Sequence, residues 1–210
     1  TETEHEDLRL VVEEYDFTGA DFTDARCRGV IFKNCIFDSA YMYNANFSES
    51  EFTECRFISA ELPYAIFIET IITSCKFASA WIAGANFTRA TITDTTFRGC
   101  SCKTSQSMLE SKERCPFTKF TEAHLKDVSF YHAEIENAKF MGAVINGKSH
   151  FGYASLNLYR SQLGAASIGN NVEFDCEIEI SRKYLDGDSW GEWVGNVKDW
   201  LLHATGLSKA

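Results

Sequence analysis

The chain has 210 residues, 30 acidic against 20 basic side chains and a net charge of −10, a length that suits one or two domains. That acidic balance argues against a nucleic-acid groove or a site for anionic membrane. No run of 18 apolar residues exists, which argues against a membrane-spanning helix. The amino end, Thr1 to Asp7, is acidic and polar, the opposite of a secretory signal. It lacks an initiator Met, so the chain is expected to be trimmed or excised from something longer. Within residues 1–14, Leu8, Leu10, Val11 and Val12 are expected to form a strand-like cap, because an open first coil would expose its apolar stack.

From residue 15 to 104 one apolar or thiol-bearing residue recurs every fifth position: Phe17, Phe22, Cys27, Phe32, Phe37, Met42, and so on to Phe97 and Cys102. Two places before most of these centres stands a small residue, among them Ala20, Ala25, Cys35, Ala40, Ala45, Cys55, Ala60, Ala65, Cys75 and Ala80. A strict period of five fits neither the 3.6 of a helix nor the 2.0 of a strand. A fixed short period over this length marks a solenoid, whose units bury their apolar faces against one another. A second period lies inside the first. Phe17, Phe37, Phe57, Phe77 and Phe97 are all phenylalanine, and Cys35, Cys55 and Cys75 share one column. Four repeats therefore make one coil of twenty residues, with four flat walls.

Ala20-Asp21-Phe22-Thr23-Asp24, Ala45-Asn46-Phe47-Ser48-Glu49 and Ala85-Asn86-Phe87-Thr88-Arg89 match the A-(D/N)-(L/F)-x-x motif in full. The chain thereby resembles the pentapeptide repeat family over roughly two-thirds of its length. That resemblance implies an all-β solenoid, a right-handed quadrilateral parallel β-helix, here with an amphipathic carboxyl-terminal helix added. It implies little about function.

The first array stops after Cys102. Residues 105–119 are expected to be a loop or insertion, with a short helix over 107–114 as the alternative; Cys115 and Phe117 fall where the Cys and Phe columns would continue at period twenty, and the coil is expected to resume near Phe117 or Phe120. A second, partly degenerate array over 120–170 has centres Leu125, Phe130, Ile135, Phe140 and Ile145, shifted three residues from the first. Val172, Phe174, Cys176, Ile178 and Ile180 alternate with polar residues, which reads as one half-buried strand in the terminal unit 171–210. From Asp188 to His203, Trp190, Trp193, Val194, Val197, Trp200 and Leu201 fall on one face of a helix. This helix is read either as a lid on the last coil or as a homodimer contact, since clustered Trp is typical of interface anchors.

Little here suggests chemistry. There is no Gly-rich phosphate loop, no H-E-x-x-H, no G-x-S-x-G and no Cys/His pairing at catalytic spacing. The carboxylates of Glu134 and Glu136 flank an inward Ile135 and are expected to face water. Most of the eight cysteines occupy inward positions, no C-x-x-C occurs, and stacked thiols suit packing better than tetrahedral zinc. Neither a metal nor a cofactor is expected. Thiols kept reduced point to a cytoplasmic protein, or to a bacterial effector delivered into a host cell.

Function is then expected on the outer walls, in a non-enzymatic interaction scaffold. Outward positions bring together Tyr41, Tyr43, Pro63, Tyr64 and Trp81, with Ile66 and Ile68 around the next corner. Clustered exposed aromatics suit a protein partner. The opposing reading has the 103–116 segment or an end segment folded over them. Two further readings come from the family resemblance. One is mimicry of DNA toward a type II topoisomerase, as in the quinolone-resistance group, although the acidic residues here are spread over all walls and interrupted by basic ones. The other is the recognition module of a larger bacterial effector such as a ubiquitin ligase. Direct binding of nucleic acid or of a membrane is not expected.

Overall fold

One inward side chain in every five residues leaves the backbone room for a short extended segment and then demands a corner. The computed structural model describes residues 9–105, 117–135, 137–154, 156–157, 166–169, 171–172 and 178–179. Its corners follow one rule. The residue two after nearly every centre lies in the left-handed region, as in Ser39 (φ 55°), Asn44 (φ 56°), Glu49 (φ 60°) and Glu54 (φ 56°). At most corners that leave walls 2, 3 and 4 the next residue donates to the centre's carbonyl, as in Ala40 to Phe37 (3.1 Å), Ala45 to Met42 (3.2 Å) and Ser50 to Phe47 (3.2 Å). A positive φ at the third position of such a turn is the type II geometry.

Four walls result. Wall 1 is an eight-stranded parallel sheet of β1 (Val11–Glu13), β2 (Ile31–Lys33), β3 (Glu51–Thr53), β4 (Ile71–Thr73), β5 (Thr91–Thr93), β7 (His124–Lys126), β9 (Val144–Asn146) and β11 (Ser167–Ile168). Walls 2 and 3 are ladders of single parallel bridges, for example Ile36 to Arg56 to Lys76 to Thr96 on wall 2 and Tyr41 to Glu61 to Trp81 to Ser101 on wall 3. Wall 4 runs from Arg26 through Asn46, Ile66 and Asn86 to Lys119, where β6 (Thr118–Lys119) pairs with β8 (Ala138–Lys139). Beyond these, β10 (Leu156–Asn157) pairs in parallel with β12 (Ile178–Glu179).

The tube is filled by two facing stacks of phenylalanine. On wall 2, Phe17, Phe37, Phe57, Phe77, Phe97, Phe130 and Phe151 lie ring on ring, with centroids 4.4–5.1 Å apart. On wall 4, Phe47, Phe67, Phe87, Phe120 and Phe140 do the same at 4.9–5.3 Å. The two stacks meet edge to face, as in Phe97 against Phe120 (5.7 Å, 88°) and Phe130 against Phe140 (5.8 Å, 90°). Such pairs contribute about 0.5–1.5 kcal/mol each beyond their buried area. Small residues fill the corners, where nothing larger than Ala, Ser, Thr, Cys or Val fits between stacked turns.

The corner from wall 1 to wall 2 lacks the turn hydrogen bond, and this explains the cysteine column. Cys35 Sγ donates to the carbonyls of Val12 and Lys33 (both 3.4 Å), and Cys55 Sγ reaches Phe32 (3.5 Å) and Thr53 (3.4 Å). Cys75 repeats the pattern, and Thr95 takes over with a hydroxyl bond to the Thr93 carbonyl (2.9 Å). A thiol here is a small apolar group with a weak donor for a carbonyl the corner would otherwise leave short. Burial also pushes the Cys100 thiol well above its ordinary range. Iodoacetamide at mildly alkaline pH is therefore expected to leave Cys35, Cys55, Cys75, Cys100 and Cys102 unmodified in the folded chain and to label all of them in urea. Peptide mapping checks this; rapid native labelling of Cys75 would contradict it.

The interruption is an insertion of thirteen residues. Asn86, Thr91, Thr96 and Ser101 pair with Lys119, His124, Ser129 and Glu134, each 33 positions on instead of 20. Thirteen is three more than two repeats, so the shift seen in the sequence is the signature of an array rejoined in register. Phe117 is not in the Phe column as its spacing from Phe97 suggested. The column passes from Phe97 to Phe130, and Phe117 is half-buried with the Lys139 ammonium 4.1 Å from its ring centre. A second, one-residue insertion at Lys148 makes Ser129 pair with His150. Asp127 accepts the Lys148 N–H (2.7 Å), and Gly147 leaves room, since a Cβ there would lie 2.4 Å from the same carboxylate oxygen.

The expectation for the amino end needs correction. Leu10 and Val11 are exposed (64% and 49%) and only Val12 packs on the core, because β1 is itself the first rung and alternates its side chains. Leu8 lies outside the described residues. Of the alternating run from Val172 to Ile180, Val172 is buried and its N–H donates to the Gly169 carbonyl (3.3 Å), while Phe174 and Cys176 lie outside the described residues. Of that run only Ile178–Glu179 is described as strand.

Candidate protein-interaction surface

The wall 3 to wall 4 corner carries the turn pairs Tyr43-Asn44, Pro63-Tyr64 and Ala83-Gly84, and one coil further the chain leaves it through Lys103. Position in the repeat thus stacks the expected aromatic cluster along one edge. Tyr41 on wall 3 is 50% exposed and Tyr43 is 42% exposed. Tyr64 meets Tyr43 edge to face (5.7 Å), yet Tyr64 and Pro63 are buried rather than open. Tyr64 and Ala83 form a small apolar cluster of their own, with a half-buried Trp81 packed against it. The Trp81 indole N–H donates to the Lys103 carbonyl (2.8 Å), so the chain leaving the coil is bound back to this edge. Lys103 Nζ and Ser101 Oγ also hold Glu134 (2.6 and 3.0 Å), and the Lys103 hydrogen bond keeps that carboxyl below its usual range. Glu134 was expected simply to face water; Glu136 lies outside the described residues.

Of the seven candidate contact residues, Tyr41 and Tyr43 remain well exposed and Ile66, Ile68 and Trp81 are half-buried. Trp190, Trp193, Val197, Trp200 and Leu201, assigned to a lid or dimer helix, lie outside the described residues. Sequence reasoning missed a second cluster on wall 2: Arg98, Tyr131, His132, His150 and Tyr153. The signal was present, since His132 and Tyr153 fall two places after Phe130 and Phe151, the outward corner position. It was lost because the pattern frays at His150.

Charge is distributed rather than ranked in rows. Arg28 pairs with Glu49, Arg56 with Asp38, Arg89 with Glu69, and Arg9 with Glu51. Along the wall 1 to wall 2 corner, Glu14, Glu54 and Asp94 alternate with Asn34 and Ser74. Carboxylates two coils apart are spaced about 9.6 Å along the tube, against one phosphate per about 3.4 Å of helix axis on each DNA strand. Among the described residues, no three His, Cys, Asp or Glu side chains converge as metal ligands, and no helix is long and apolar enough to cross a membrane.

Two family models, described as pentapeptide repeat region and pentapeptide repeats (8 copies), match residues 30–108 and 117–147, together more than half of the chain. The chain belongs to the pentapeptide repeat family. The gap between the two matches, residues 109–116, falls within the stretch that holds the thirteen-residue insertion. No curated protein matches it. Among solved structures it is similar to a trypsin-treated variant of QnrB1, a plasmid-mediated fluoroquinolone resistance protein, at 15% identity over 91% of this chain and 98% of that one, with a TM-score of 0.46. It is also similar to HetL, a pentapeptide repeat protein involved in heterocyst differentiation regulation from the cyanobacterium Nostoc sp. strain PCC 7120. There the identity is 18% over 80% of this chain and 85% of that one, with a TM-score of 0.41.

Proposed function

We propose that this pentapeptide repeat protein is a non-enzymatic scaffold that binds a protein partner through its outer walls. The observation that carries the reading is the pair Tyr41 and Tyr43, about half exposed on a wall whose backbone is fixed by hydrogen bonds to the coils above and below. Tyrosines held rigidly lose little conformational entropy on binding and combine an apolar ring with a polar tip, the properties of interface anchors. Ile66 and Ile68, half-buried around the corner, extend the surface with apolar area.

The test compares partner capture by the wild-type chain and a Tyr41→Ser, Tyr43→Ser variant, with thermal unfolding measured on both. The variant is expected to lose at least about tenfold in captured partner, the scale of one anchor residue, with little change in stability. Equal capture by both proteins would remove this edge as the contact surface.

A further inference from the structure

Wall 2 changes character above Arg56. From Arg56 to Gly152 its outward positions hold Arg56, Lys76 and Arg98 and not one carboxylate, in a chain of net charge −10. The nearest carboxylate on the wall itself, Asp38, is engaged by Arg56 and by the Ile58 N–H. Glu54, Asp94 and Asp127 stand at the corner where the chain enters the wall, while Arg98 projects at the corner where it leaves. Lys76 and Arg98 have no ion-pair partner among the described residues, and the Arg98 guanidinium lies 5.4 Å from the centre of the Tyr131 ring.

Above Arg98 the same edge becomes aromatic. His132 stacks on Tyr153 (5.1 Å, 18°), and Tyr131 meets both rings edge to face (4.4 and 5.6 Å). Tyr153 is 60% exposed. These rings are placed against a backbone preference. Lower on this edge the left-handed corner residues are Gly19, Ser39, Ser59, Ser79 and Gly99, whereas here they are His132 (φ 55°) and Tyr153 (φ 52°).

Resting on the scaffold reading above, we propose that wall 2 and its leaving edge, from Lys76 on the wall to Tyr153 on the edge, dock an acidic polypeptide segment that also carries an aromatic side chain. Carboxylates of the segment pair with Lys76 and Arg98, and its ring lies against the Tyr131, His132 and Tyr153 cluster. Arg beside tyrosine offers both a planar donor fork and a cation–π face. Lys76 and Tyr153 are three coils apart, about 14 Å, which an extended segment covers in four or five residues. Bases of single-stranded nucleic acid could stack on the same rings, but the net charge of the chain opposes a polyphosphate backbone.

The experiment titrates the full chain into a fluorescein-labelled peptide of alternating Glu and Phe and reads anisotropy at physiological salt. Saturable binding is expected, weakened at least about tenfold by Arg98→Glu and by Tyr153→Ser and unchanged by Lys33→Glu on wall 1. Arg98→Gln, which removes charge without adding its opposite, is expected to fall between, and circular dichroism establishes that each variant is folded. No saturable binding, equal loss from Lys33→Glu, or tighter binding of an oligothymidylate or a Lys/Phe peptide would each overturn the assignment. None of these results bears on Tyr41 and Tyr43, so this site and the scaffold reading fail separately.

Discussion

Phe97→Ala is expected to lower the unfolding free energy by about 3–5 kcal/mol, the range for deleting a large ring from a packed core. Phe97 is fully buried, stacks on Phe77 (4.8 Å) and Phe130 (5.1 Å), and meets Phe87 and Phe120 edge to face. Its truncation would empty one layer of the wall 2 stack and remove the edge contacts to Phe87 and Phe120 of the other, at the coil where the two arrays are joined. Phe117→Ala is the matched control, because Phe117 lies outside the column and is half-buried. Its cost is expected to stay near or below about 1 kcal/mol. Urea unfolding of both variants checks the pair, and equal losses would mean that the insertion has been placed wrongly.

Ala80→Leu is the second large effect, with an expected cost of about 1–3 kcal/mol from overpacking. Ala80 is fully buried at a corner between Ala60 and Cys100, and its N–H and carbonyl are engaged by Phe77 and Ser101. Stacked coils stand about 4.8 Å apart, so neither backbone nor column neighbours can move aside for three more carbons. Ser79, one residue earlier, is exposed at φ 57°. Asn tolerates that region, and Ser79→Asn is expected to change stability by less than about 0.5 kcal/mol. Thermal unfolding of the two variants separates an inward from an outward position only one residue apart.

The interior was legible because it repeats. Each inward Phe at 17, 37, 57, 77 and 97 meets the same surroundings, so a period of twenty is a statement about contacts. The corner chemistry was less visible. Cys35, Cys55 and Cys75 read as packing, and only the missing turn bond at that corner shows why thiols, then Thr95, stand there. Phe117 was placed in the Phe column because a period gives residue spacing and not insertion length; thirteen extra residues shift the pattern by three, as three or eight would, and the resumption near Phe120 was legible. The outer surface was legible by position but not by exposure. Position places Pro63 and Tyr64 outward, yet what binds back over a corner depends on where the chain leaves the coil, and Lys103 leaves beside Trp81. His132 and Tyr153 obeyed the same outward rule and were passed over where the pattern frayed.

The central claim is that twenty-residue coils stack in register across the insertion, and a methyl-labelled nuclear Overhauser spectrum of the unaltered chain tests it directly. Ile92 and Leu125 are register partners and both are buried, so their methyl groups are expected to give a strong cross-peak, equivalent to those linking Ile72 to Ile92 and Leu125 to Ile145. Cross-peaks within each array but none between Ile92 and Leu125 would contradict it.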